Sequence, residues 1–152
     1  MSESVEKILA AAIEHYKAQR YAEAESLCRQ LTSLPSPTSR SCFLLGLALG
    51  KTNHWPEAGQ WLGKAAELDP AAPEVWSELG RAYNALKDYA RAADCFRRFI
   101  ELRPANSFGY WGLGNAYQQL GQHERAVALY GQAVELNAKD AAAWKNMGKA
   151  LT

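Results

Sequence analysis

The stretch Pro73-Glu74-Val75-Trp76-Ser77-Glu78-Leu79-Gly80-Arg81-Ala82-Tyr83 decides the fold, because it recurs. Gly46, Gly80, Gly114 and Gly148 stand 34 residues apart, with Ala12 one step earlier. Ala24, Ala58, Ala92 and Ala126 keep the same step, as do Leu45, Leu79, Leu113 and Met147, and Trp76, Tyr110 and Trp144. A fixed period of this length, shared by several residue types, is the signature of stacked helical hairpins. Within one period Trp76, Leu79, Gly80 and Tyr83 fall at i, i+3, i+4 and i+7, one face of a helix. Tyr89, Ala92, Ala93 and Phe96 make a second such stripe, and Leu86-Lys87-Asp88 is the turn between them. A mid-helix glycine costs roughly 0.5–1 kcal/mol against alanine. Its recurrence therefore predicts a close approach by the paired helix.

Counting Gly80 as the eighth residue, the units run 5–38, 39–72, 73–106 and 107–140, with a partial fifth unit at 141–152, all within one domain over 1–152. Pro70 and Pro104 end the second helices, since the residue before a proline avoids the helical region. The ends depart from the pattern: Leu34-Pro35-Ser36-Pro37 carries two prolines, and Ala138 stands where Pro70 and Pro104 stood. The order Trp76, Leu79-Gly80, Tyr83, Ala92, Phe96, Pro104 resembles the tetratricopeptide repeat over essentially the whole chain. The resemblance implies an all-α, right-handed superhelical solenoid of antiparallel helix hairpins. Function does not follow from it, because repeat scaffolds carry many unrelated tasks.

Composition excludes several classes. With 48% hydrophobic and 22% charged residues, the 152-residue chain has the make-up of a folded domain. A net charge of +1 leaves no global electrostatic footprint for nucleic acid. The most apolar run, 42–50, is too short to span a bilayer, and the start lacks a basic leader with an apolar core. The expectation is a cytoplasmic protein without membrane insertion. No His-Glu-x-x-His, Gly-x-Ser-x-Gly or phosphate-binding loop occurs, so no catalytic residue, metal or cofactor is expected. The three cysteines form no Cys-x-x-Cys pair. Cys28 and Cys42 occupy core positions, whereas Cys95, one residue before Phe96, is expected to be more exposed.

The function expected is binding. The resemblance implies a concave groove lined by the first helix of each hairpin, at the second, fifth, ninth, twelfth and thirteenth residues of each unit. Those positions supply an apolar half, Leu9, Ile13, Phe43 and Leu47, and a polar, aromatic half, Arg81, Asn84, Trp111, Asn115 and Gln118, extended by Lys145 and Lys149. They hold six cations (Lys17, Arg40, Lys51, Arg81, Lys145, Lys149) against two anions (Glu6, Glu74), on a chain whose net charge is +1. A basic concave surface favours an acidic ligand. Phe108 and Trp111 are aromatics beyond the core slot filled by Tyr110, and serve either as binding surface or as packing between hairpins.

The expected partner is thus another protein or peptide, acidic in character, held by amide side chains along its backbone. The Lys, Asn, Asn, Lys, Arg set with which one subtype of the resembled family grips a chaperone's terminal carboxylate is not matched. Its positions fall on Ser77, Arg81, Gly112, Ala142 and Asn146, or on Leu9, Ile13, Leu44, Glu74 and Glu78. The asparagine ladder of glycosyl-transferring relatives is missing too. Two further expectations stand beside the binding module. One is the substrate-recruiting N-terminal region of a larger bacterial transferase. The other is self-association through Trp144, Met147 and Leu151 in the partial fifth unit.

Overall fold

The computed structural model describes residues 2–137, and among these it contains eight α-helices and no strand. The first helices of the hairpins are α1 (Glu3–Lys17), α3 (Ser39–Lys51), α5 (Pro73–Ala85) and α7 (Ser107–Gln119). The second helices are α2 (Tyr21–Thr32), α4 (Trp55–Leu68), α6 (Tyr89–Leu102) and α8 (His123–Leu136). Seven of the eight begin at positions 34 residues apart within their set, and α1 starts at Glu3, two residues ahead of its register position. The partial fifth unit, with Lys145, Lys149 and the proposed self-association residues, lies outside the described residues.

The turns inside the hairpins repeat in backbone conformation as well as in length. Gln19, Asn53, Lys87 and Gly121, again 34 apart, have φ of 62°, 64°, 61° and 80°. At each, the chain reverses with the pair of bonds of a Schellman motif, as in Asn53 N–H to Gly50 C=O (3.1 Å) and His54 N–H to Leu49 C=O (2.8 Å). A single left-handed residue follows the first helix, and the second helix starts two residues after it. Only the fourth hairpin uses the glycine that this conformation favours.

The chain divides into two compact units, Met1–Val75 and Trp76–Thr152. The core of the first gathers Leu9, Ala12, Cys28, Leu31, Leu44, Leu45, Leu49 and Ala58. That of the second gathers Ala92, Ala93, Phe96, Leu113, Ala116, Tyr117, Ala126 and Tyr130.

The recurring glycines sit where the paired helices meet. A Cβ on Gly46 would lie 2.6 Å from Leu62 Cγ, on Gly80 2.9 Å from Phe96 Cζ, and on Gly114 2.7 Å from Tyr130 Cε1. Each partner lies 16 residues further along the chain. In the first hairpin the same two sites hold Ala12 and Cys28, both fully buried. A methyl group is tolerated there because the side chain opposite is small.

The expectation for Cys95 is corrected. It is buried with Cys28 and Cys42, because α6 buries a wide stripe running through Ala92, Ala93, Cys95, Phe96 and Phe99. Burial pushes the thiols of Cys28 and Cys95 up to about 12 and raises that of Cys42.

Candidate binding face on the first helices

In the first compact unit, α1 packs against α3 as well as against α2. Glu6, Leu9, Ala10 and Ile13 of α1, with Arg40 of α3, line a groove of about 270 Å³. Four of these five were singled out in the sequence. Leu9 is the one whose role changes: only 5% exposed, it belongs to the core cluster and forms the groove's floor rather than an accessible contact. Ile13, Phe43 and Leu47 are half-buried, with Ile13 and Leu47 packed on that cluster. Their partial exposure suits an apolar contact surface.

In the second unit, the sequence-selected residues differ in how far they are already engaged. Arg81 forms an ion pair with Glu78 at 3.1 Å. The positive surplus inferred from sequence is therefore reduced at this position. Gln118 accepts a 2.7 Å hydrogen bond from the Tyr130 hydroxyl. Tyr130 replaces the apolar Phe96 of the preceding repeat, so its buried hydroxyl requires a partner, and Gln118 supplies one. Burial raises the Tyr130 phenol to about 12. Asn115 is half-buried on α7.

Phe108 fills space between α6 and α7, edge-on to Phe96 (6.0 Å) and Phe99 (6.1 Å) and tilted against Trp111 (5.6 Å). It is packing, and the Trp111 ring also packs partly on the cluster. Two polar atoms nevertheless stand apart. Asn84 Oδ1, at the twelfth position of its unit, and Trp111 Nε1, at the fifth of the next, are buried and make no hydrogen bond among the described residues. Sequence spacing selected both side chains but could not tell that their polar atoms were withdrawn from solvent.

Family models for tetratricopeptide repeats match residues 43–107 and 114–152, together about two thirds of the chain. The chain belongs to the tetratricopeptide-repeat family. Proteins of this family are generally non-catalytic interaction scaffolds. No curated protein sequence is similar enough to this tetratricopeptide chain to match it. Among solved structures, MamA from Desulfovibrio magneticus RS-1 (residues 41 to the end) is similar over 99% of this chain and 85% of its own, at 18% identity and a TM-score of 0.92. A second MamA structure is similar over 99% of this chain and 82% of its own, at 20% identity and a TM-score of 0.91. The first TPR of Spaghetti (RPAP3), bound to the HSP90 peptide SRMEEVD, is similar over 78% of this chain and 94% of its own, at 23% identity and a TM-score of 0.72. These likenesses share the fold. Among the described residues of the tetratricopeptide chain, no helix is long and apolar enough to cross a membrane, and no cluster of three metal-ligating side chains occurs.

Proposed function

We propose that this tetratricopeptide chain is a non-catalytic, cytoplasmic interaction module that holds an extended segment of another protein along its first helices. The observation carrying this reading is the pair of buried polar atoms, Asn84 Oδ1 and Trp111 Nε1. One accepts and the other donates. A polypeptide backbone offers the complement of both in every peptide unit. A buried polar atom without a partner costs about 1–3 kcal/mol, and a ligand recovers part of that cost when the side chain turns outward to meet it. Backbone recognition of this kind is indifferent to side chains. Within the first compact unit, the exposed cations Lys17, Arg40 and Lys51 favour acidic character in a segment bound there. Peptide capture by the RPAP3 repeat domain, which shares the fold, supports the reading.

The experiment is affinity capture from a cell lysate at low and moderate salt, comparing the native chain with an Asn84→Ala, Trp111→Phe double variant. Phenylalanine keeps an aromatic ring in the cluster while removing the indole N–H. Loss of a salt-sensitive partner from the variant, with helicity unchanged, supports the reading. Equal recovery by both versions contradicts it.

A further inference from the structure

The first hairpin carries a pocket that the repeat register does not anticipate. α2 starts in register with α4, α6 and α8 but stops at Thr32, two residues short of where the others stop. The cause is local. Pro35 stands one residue ahead of the register set by Pro70 and Pro104, and it pushes Leu34 out of the helical region. Pro37 then fixes a second backbone angle. The linker leaves α2 early, and Val5, Leu9, Leu31, Leu34, Pro35 and Pro37 contribute to an apolar pocket of about 310 Å³. That volume lies near the lower end of ligand sites, roughly 300–1,000 Å³. It suits one bulky side chain and is too small for a helix.

Two observations bear on what it could take. Leu9 lines both this pocket and the α1–α3 groove, so a single segment can lie in the groove and turn one side chain into the pocket. Arg40, exposed in the first turn of α3, forms no ion pair among the described residues and sits in the chain between Thr38 and Ser41, which also line the pocket. Its charge is complementary to a carboxylate. Glu6, on the α1 wall of the same groove, repels one. The two together fix the side on which an acid can lie.

We propose that this pocket anchors one bulky apolar side chain of the bound segment, with an adjacent Asp or Glu directed toward Arg40. The anchor rests on the peptide-binding reading given above and adds the local sequence that the segment must carry. A bulky side chain seated in a pocket is the kind of anchor on which interfaces concentrate their energy.

The test is to pan a displayed library of random dodecapeptides on the whole chain. The native protein, Val5→Trp, which fills the pocket, and Arg40→Glu are compared, with Leu34→Asp at the exposed rim as a second pocket variant should Val5→Trp lose helicity. Native protein should recover peptides with a bulky apolar residue next to an acid. The strongest of these should bind the pocket variant at least about tenfold more weakly, and Arg40→Glu should exchange the acid for Lys or Arg while keeping the apolar residue. Peptides without an apolar position overturn the anchor. So do peptides that weaken with Asn84→Ala, Trp111→Phe but ignore the pocket variants, an outcome that leaves the groove reading standing. Recovery of nothing by any version overturns both.

Discussion

Replacing Gly112 with alanine should destabilise the protein, although alanine is the better helix former. A Cβ at residue 112 would lie 2.5, 2.6 and 2.7 Å from Cε1, Cδ1 and Cζ of Phe96. The ring cannot slide away. It is fully buried, and its other edge already lies 2.9 Å from where a Cβ on Gly80 would stand. Alanine gains about 1 kcal/mol of helix propensity, while overpacking a core of this kind costs about 1–3 kcal/mol. Contacts well below 3 Å against a wedged aromatic ring point to the upper part of that range, leaving a net loss of about 1–2 kcal/mol. Gly131 on α8 is the control, since a Cβ there would meet nothing within 4 Å. Gly131→Ala should keep the whole propensity gain, about 1 kcal/mol. Urea titrations followed by far-ultraviolet circular dichroism compare the two midpoints. If Gly112→Ala raised the midpoint as much as Gly131→Ala does, the account of α7 as a helix pressed against Phe96 would be refuted.

Lys87 holds a left-handed conformation at φ 61° in a position where the fourth hairpin has Gly121. Relief of about 1–2 kcal/mol of strain, less the entropy that glycine adds to the unfolded chain, should make Lys87→Gly about 0.5–1 kcal/mol more stable, read as a raised melting temperature. The three buried thiols should react with a disulfide reagent such as DTNB at neutral pH only as fast as the chain opens, and all at one rate in urea. A fast-reacting thiol in the folded protein would contradict the burial of at least one of the three. Arg29 donates to Glu57 at 2.7 Å across α2 and α4, and this holds the Glu57 carboxyl below its ordinary value. The pair's contribution is therefore present above the unfolded carboxylate value and lost as pH falls through the folded one. Both side chains are more than a third exposed, so Glu57→Gln should lower stability by only about 0.5 kcal/mol at neutral pH and low salt. That difference should vanish in acid.

The helix pattern was legible because each unit repeats the same local demands. Position eight is small, the residue sixteen further on fills the space opposite, and one left-handed residue joins the two helices. What a single unit's pattern misses is what neighbouring hairpins do to each other. Gly112 has no glycine at Ala10, Leu44 or Glu78, one or more steps back in the register, because it answers to Phe96 of the preceding hairpin. Cys95 looked exposed because a narrow stripe was assumed, whereas α6 buries a broad one. Leu9 and Phe108 were placed correctly on the first helices, but position alone could not distinguish floor and filler from contact surface. The shortened α2 was latent in the displaced Pro35. The pocket it leaves depends on α1, the linker and the start of α3 together, which no stretch of sequence displays.

The most direct test of peptide binding on the first helices is a backbone amide chemical-shift map of the whole chain, titrated with a peptide recovered from the displayed library. The account predicts saturable shifts concentrated on α1, α3, α5 and α7, including Arg40 and Asn84 and the indole N–H of Trp111. Shifts concentrated on the exposed sides of α2, α4, α6 and α8, with the Trp111 indole unmoved, would contradict it.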